Sequence, residues 1–352
     1  RGSDAQELIG LVETALAQAN IAAGSVACVA SLDLKADEPA MTALAQHLRV
    51  PFRVFSAERL EQEAPRLKNP SDVVFEEVGC HGVSEGAALA GAGTEGALVV
   101  EKQKTANATV AIARAPQPID PEKVGRARGH LSVIGIGPGQ DAWRTPEATR
   151  LLAEAEEVVG YSLYLDIVAP HIKGKTRHDF PLGKEEDRVR FALERAGEGR
   201  NVALVSSGDA GIYAMGALVY ELLDRDTDNG GVTDAAKRVS LVNAPGISAL
   251  QAASARIGAP LGHDFCAISL SDLLTPWEAI EKRLKAAAEG DFVVAFYNPV
   301  SKRRRSQLAT AREILQTHRP ADTPVVLGVN LGRPEETIRV TTLGALTVDE
   351  VD

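Results

Sequence analysis

From residue 130 onward the chain alternates short apolar runs with longer stretches whose apolar residues recur every three or four positions. A short apolar run bounded by turn signals reads as a buried strand, and the longer period as a helix with one face in the core. Strands are expected at 131–136, 158–161, 202–206, 239–242, 265–270, 292–297, 325–330 and 337–341, and helices at 145–156, 185–196, 212–223, 248–257, 276–289 and 306–317. Thr145 followed by Pro146 marks one helix start, and Thr275 with Glu278 reads as a capping box at another. Residues 224–237 read as a polar excursion. Such alternation predicts an α/β fold with largely parallel sheets covered by helices.

The first 115 residues repeat the pattern on a smaller scale. Helices are expected at 5–19, 38–48, 56–63 and 87–92, and strands at 25–32, 52–56, 97–101 and 108–114. Pro116, Pro118 and Pro121 then interrupt the chain before a charged, glycine-containing stretch. Prolines so close together neither continue a helix nor pair in a sheet, so 116–129 reads as a semi-rigid linker. The expected organisation is a small α/β domain at 1–115, this linker, and two lobes at 130–243 and 244–352.

Composition changes this picture little. Hydrophobic residues make up 45% and charged residues 24%, as in ordinary globular proteins. No apolar run is long enough for a membrane span and no secretory signal is visible, so a cytoplasmic protein without membrane contact is expected. Cys28, Cys80 and Cys266 lie far apart, and no histidine spacing suits a metal; neither a disulfide framework nor a metal site is expected. The formal charge is −10, spread evenly over both parts of the chain, which argues against nucleic acid. The one dense basic run, Lys302-Arg303-Arg304-Arg305, is either a solvated helix start or a local anion clamp.

In doubly wound folds ligands bind where loops leave the carboxyl ends of strands. Four loops there carry unusual residues: 135–139, 206–211, 243–248 and 297–299. The first, Gly135-Ile136-Gly137-Pro138-Gly139, is not a dinucleotide fingerprint, because Pro138 intervenes and the helix waits until Thr145. No Gly-Lys-Ser/Thr follows, so a nucleotide-phosphate loop is excluded. It reads as a rigid turn approaching an uncharged or zwitterionic ligand, or as a plain strand-to-helix turn. In the second loop Asp209 is a helix cap or a carboxylate facing a cationic ligand or a ribose.

Taken together, Gly135-Ile136-Gly137-Pro138-Gly139, Ser207-Gly208-Asp209-Ala210-Gly211-Ile212-Tyr213, Pro245-Gly246-Ile247-Ser248-Ala249, Phe296-Tyr297-Asn298-Pro299 and Asn330-Leu331-Gly332-Arg333 resemble the tetrapyrrole methylase family over residues 130–343. Ser269-Leu270-Ser271-Asp272 and the stretch around Asn298 are most similar to its precorrin-3B C(17)-methyltransferase branch. Gln140 and Ala210 depart from the family's usual Asp and Pro. Ser31-Leu32-Asp33-Leu34-Lys35 and Lys102-Gln103-Lys104-Thr105 resemble the CobE/CbiG C-terminal domain of cobalamin biosynthesis. By that resemblance a buried strand is expected ahead of Arg1, and by the first another beyond Asp352, so the chain is expected to be trimmed at both ends.

The resemblance implies a two-lobed fold holding S-adenosylmethionine in its cleft, methylation of precorrin-3B at C17 with ring contraction to precorrin-4, and a homodimer. It places the cofactor at Pro138, Ser207, Gly208, Asp209, Ile212, Ser248, Ala249, Asn298 and Gly332. Methyl transfer from a sulfonium is an in-line displacement that depends mainly on alignment, which suits a site poor in classical catalytic residues. Ring contraction adds proton transfers, for which Asp264, Asp272, His263 and Tyr213 are the candidates. A multi-carboxylate tetrapyrrole would favour basic groups, and Lys173, Lys175, Arg177 with His178, and Arg303, Arg304 with Arg305, are the candidate clusters. Lys35, Asp37, Lys102 and Lys104 either line a tetrapyrrole-handling surface or are solvated. The competing readings are the cobalt-loaded counterpart of the same reaction, a non-catalytic tetrapyrrole carrier, and a nicotinamide oxidoreductase, the last lacking its fingerprint.

Overall fold

The computed structural model describes residues 2–301 and 304–351. Its strands are β1 (Val29–Leu32), β2 (Phe52–Phe55), β3 (Ala97–Lys104), β4 (Thr109–Arg114), β5 (Arg126–Ala127), β6 (His130–Gly135), β7 (Glu157–Tyr161), β8 (Thr176–Phe180), β9 (Asn201–Ser206), β10 (Ser240–Ala244), β11 (Phe265–Ser269), β12 (Val293–Tyr297), β13 (Pro324–Val329) and β14 (Thr337–Thr342).

The central platform is a parallel five-stranded sheet in the order β10-β6-β9-β7-β8. Leu131, Val133, Val202 and Leu204 face one helical layer, and Ile134, Val158, Ala203 and Val205 the other. Apolar residues on both faces are what a parallel sheet covered by helices requires. In the register, Gly135 lies opposite Ser206 and Ala244 opposite Ile134, so β6, β9 and β10 end level and release their loops side by side.

The next lobe pairs β11 with β12 in parallel and β13 with β14 in antiparallel fashion, around Ile268, Leu270, Ile280, Leu284 and Leu308. In the first domain β1, β2 and β5 form one sheet and β3 and β4 a hairpin. A cavity of about 830 Å³ opens there beside the helix Ala5–Gln18, β1 and β4, away from the glycine loops.

Several expectations need correction. The polar segment Thr176–Phe180 is a strand, because its backbone pairs with β7 while its side chains stay largely exposed. Helices also form at Asp72–Val78 and Ser162–Ile167, and a short one, Asp234–Lys237, interrupts the expected excursion. Residues 212–214 precede the helix Met215–Asp224 rather than begin it, since Tyr213 has a left-handed backbone at φ 50°. The expected strand 25–32 shortens to β1 behind a 3₁₀ turn, Ala23–Ser25. Pro276 takes the cap position of the helix Trp277–Glu289, one residue after Thr275, and no side chain caps that start; the capping box does not form. Within the stretch read as a linker, β5 pairs with β2, and Arg53 donates to the Val124 carbonyl at 2.7 Å.

Candidate functional site

Three glycines dictate how the loops meet. A Cβ on Gly135 would stand 2.6 Å from the Gly208 carbonyl, and one on Gly246 only 2.1 Å from the same oxygen. Both distances are below any real contact, so the loops after β6, β9 and β10 close on one another only because these positions lack side chains. Gly137 and Gly208, both at positive φ, exchange backbone hydrogen bonds of 3.1 and 2.8 Å.

Asp209 ties this group together. Its carboxylate accepts from the Gly211 amide at 2.7 Å and from the Gly246 amide at 3.1 Å, bracing its own loop and the one after β10. Ser248 caps the helix Ala249–Arg256 through a complete capping box with Gln251. Ile212 and Tyr213 present partly exposed apolar surface. The Ser206 hydroxyl is buried with no partner among the described residues, as is the Tyr297 hydroxyl.

The second lobe closes over these loops. The Tyr213 and Tyr297 rings lie 5.0 Å apart, and the Tyr213 hydroxyl donates to the Ala267 carbonyl at 2.9 Å. Asn298, at φ 49°, donates from Nδ2 to Ser269 Oγ at 3.2 Å, and its carbonyl accepts from Arg304 at 3.0 Å. Gly332 packs against Pro138, where a Cβ would meet the ring at 3.2 Å. Its amide donates to Glu336 at 2.6 Å; that bond first and Arg256 second hold the Glu336 carboxyl below its usual range.

The structure therefore brings Pro138, Ser207, Gly208, Asp209, Ile212, Ser248, Ala249, Asn298 and Gly332 to one junction between the lobes. Of the acid–base candidates, Tyr213 and Asp272 lie on loops at that end; Asp272 accepts from Gln307 at 3.0 Å. His263 and Asp264 do not reach it. They precede β11 at its amino end, a five-residue strand away, roughly 16 Å at 3.3 Å per residue.

The expected basic clusters fare differently. Arg177 is held by Asp166 at 2.8 Å and Asp179 at 2.6 Å. Lys175 donates to the Ala153 and Ala155 carbonyls at the opposite end of the sheet, Lys173 lies beside it, and His178 meets Glu157 at 2.9 Å. Arg177 and His178 thus spend their charge on carboxylates of their own lobe, and Lys175 sits at the amino end of the sheet rather than at the junction. Arg304 is buried and bonds Asn298 and Ser271, Arg305 pairs with Asp349, and Arg303 lies outside the described residues. In the first domain Asp37 faces Arg238 at 3.9 Å, so it belongs to a domain contact rather than a free surface.

Sequence reasoning missed Arg333. Its Nε donates to the Pro138 carbonyl at 3.0 Å and Nη2 to Ser207 Oγ at 3.4 Å, across 195 and 126 residues of chain. The signal was present in the Asn330–Arg333 motif, of which only Gly332 was singled out. It also missed Tyr164, whose phenol burial pushes up while Arg333 pulls the other way. Among the described residues no group of acidic, histidine or cysteine side chains has the form of a metal site, and no helix is long and apolar enough to cross a membrane.

Comparison with known proteins gives these features a context. Residues 130–347 match the family of tetrapyrrole (corrin/porphyrin) methylases, and residues 1–113 match the cobalamin synthesis G C-terminus. A precorrin-3B C(17)-methyltransferase of Sinorhizobium sp is 46% identical over 224 residues, 64% of this chain and 85% of that protein. A probable cobalt-factor III C(17)-methyltransferase of Salmonella typhimurium is 47% identical over 222 residues, 63% of this chain and 88% of that protein. The crystal structure of the methyltransferase CobJ superposes with a TM-score of 0.58 at 43% identity, covering 64% of this chain and 90% of that one.

Proposed function

The chain belongs to the tetrapyrrole methylases, S-adenosylmethionine-dependent methyltransferases, and from that premise we propose that it methylates precorrin-3B at C17 with contraction of the ring to precorrin-4. The observation that carries the site assignment is the glycine junction at Gly135, Gly208 and Gly246, met from the second lobe by Gly332 and Arg333 at the Pro138 turn and by Tyr297 at Tyr213. Its donor set fits a zwitterionic sulfonium ligand: backbone amides and carbonyls, one carboxylate, apolar Ile212 and Tyr213, and two buried hydroxyls without partners among the described residues.

When bound, the donor supplies an electrophilic methyl group on a sulfonium. The protein's part is alignment. Pro138, Gly208 and Asn298 hold the donor against the tetrapyrrole, and the tyrosines at 213 and 297 keep water from the gap between the lobes. A near-attack separation of ~3–3.5 Å supplies most of the acceleration in such a displacement. Tyr213 and Asp272 are the residues proposed to move a proton during contraction, each of which needs a donor or acceptor within hydrogen-bond reach.

A second reading, the cobalt-loaded substrate, is favoured by the 47% identity to the cobalt-factor III relative. Calorimetry with S-adenosylhomocysteine, followed by mass analysis after incubation with the methyl donor and either precorrin-3B or cobalt-factor III, separates the two. The proposal expects binding and a ring-contracted methylated product from precorrin-3B. Product from cobalt-factor III alone selects the second reading, and no binding of S-adenosylhomocysteine ends both.

A further inference from the structure

Both ligands of such an enzyme carry carboxylates: the tetrapyrrole on its acidic side chains, the methyl donor on its amino-acid part. In a chain of net charge −10 such a group needs a local cation. The basic side chains around the sheet are mostly spoken for. Arg177 is enclosed by two aspartates, and Lys175 caps a helix end away from the junction. Arg256 pairs with Glu336 at 2.9 Å and stacks 4.5 Å over Trp143. Arg304 is buried, with both Nη groups committed to Asn298 and Ser271.

Arg333 differs from these in having an uncommitted edge. Among the described residues no carboxylate pairs with it, and its Nη1 has no acceptor. Its two bonds go to neutral oxygens: the Pro138 carbonyl at 3.0 Å and the Ser207 hydroxyl at a long 3.4 Å. It is half-buried, and the turn at Gly139 is shaped to it; a Cβ there would come within 2.5 Å of Arg333 Cγ. A planar guanidinium anchored through Nε presents its other edge as a fork suited to a carboxylate.

We infer that Arg333 is the carboxylate-binding cation of the cleft, keeping Nε on the Pro138 carbonyl while its Nη edge receives a carboxylate of the tetrapyrrole or of the methyl donor. The inference rests on the methyltransferase reading above. Exchange of the weak Ser207 contact for a charge-assisted one is the favourable direction, because bonds to ionised partners are roughly twice as strong as neutral ones. Arg333 would then also report occupancy to the Pro138 turn, which it holds from the other lobe.

The test uses the full chain and the variants R333Q and R333K. Calorimetry measures S-adenosylhomocysteine and 5′-methylthioadenosine, which lacks the amino-acid part, and kinetics measures KM and kcat with precorrin-3B. A wild type that binds no S-adenosylhomocysteine overturns the methyltransferase reading and this inference with it. With an active wild type, two results support the inference. R333Q losing S-adenosylhomocysteine affinity by about tenfold to a hundredfold, with methylthioadenosine unchanged, assigns the carboxylate to the donor. Unchanged adenosine-compound affinities with a similar rise in KM for precorrin-3B assign it to the tetrapyrrole. In either case R333K recovers part of the loss, because the charge remains while the fork is gone. Equal weakening of both adenosine compounds with KM for precorrin-3B unmoved reduces Arg333 to a brace of the turn and overturns the inference, as does the absence of change in all three measurements.

Discussion

In the five-stranded sheet, β7 and β9 bury nearly every residue, whereas β12 of the following lobe has none fully buried and β13 and β14 lie partly in solvent. The two regions contribute to the junction in matching ways. The dense sheet offers backbone: a Cβ on Gly135, Gly137 or Gly246 would strike a main-chain oxygen, and Gly208 takes a positive φ. The lighter lobe offers side chains: Asn298 and Arg304, which bond within it, and Arg333, which reaches over to Pro138 and Ser207. Tight packing fixes where strands end, and level strand ends fix the loops. A looser sheet holds its residues less rigidly and leaves them room to adjust to a ligand.

The sharpest way to break this comparison is at a glycine. Gly246→Ala forces a methyl group against the Gly208 carbonyl, and activity is expected to fall by a hundredfold or more, since a displacement of about 1 Å costs that much. Gly10→Ala, in an exposed stretch of helix with nothing within 4 Å, serves as the control and should stabilise slightly, by about 0.5–1 kcal/mol. Retained activity in G246A would show that the loops are not held as described. Next in size are the cores. Leu204→Ala in β9 should cost about 3–5 kcal/mol in a denaturant titration, and half-buried Leu327→Ala in β13 roughly half of that. Equal losses would erase the distinction between the lobes.

A smaller effect is expected at Glu157, in β7. Its carboxyl is held below the usual range, chiefly by Arg195 and then by His178. A depressed folded-state pKa contributes stability that is present above the unfolded value, near 4.3, and is lost as pH falls through the folded one. Glu157→Gln should therefore lower stability at neutral pH by about 1–3 kcal/mol and flatten the acid limb below about pH 4.5 in thermal melts. An acid limb as steep as before would place the linkage elsewhere. Smallest of all is Arg177→Gln. With its charge already enclosed by Asp166 and Asp179, binding of the tetrapyrrole substrate should stay within about twofold, whereas a larger loss would return that cluster to the site.

Apolar runs made most strands legible. The centres of β6 and β9 follow from their apolar runs, because a strand buried on both faces must be apolar on both, and the partly buried β11 and β12 carry the same kind of run. β8 was not legible: Thr176, Arg177, His178 and Asp179 carry no such signal, and only pairing with β7 makes them a strand. The glycine loops were legible as unusual turns, but not their interlock, which depends on how three strand ends align. His263 and Asp264 looked plausible because sequence proximity to β11 does not say which end of a strand faces the ligand. Arg333 escaped because its partners are over a hundred residues away. The match of the first domain to a cobalamin-pathway family was readable in both its flanking motifs.

The short strand β5 leaves one consequence for the whole chain. It sits in the sheet of the first domain, while Arg126 bonds the Gly197 carbonyl at 2.8 Å, Arg128 the Arg238 carbonyl at 2.8 Å, and Arg238 the Leu34 carbonyl at 3.2 Å. Domains stitched in this way share their unfolding. Heat should melt them in a single transition, and a ligand bound between the methylase lobes at a hundred times its Kd, contributing about 2.7 kcal/mol, should protect the distant first domain by the same mass action.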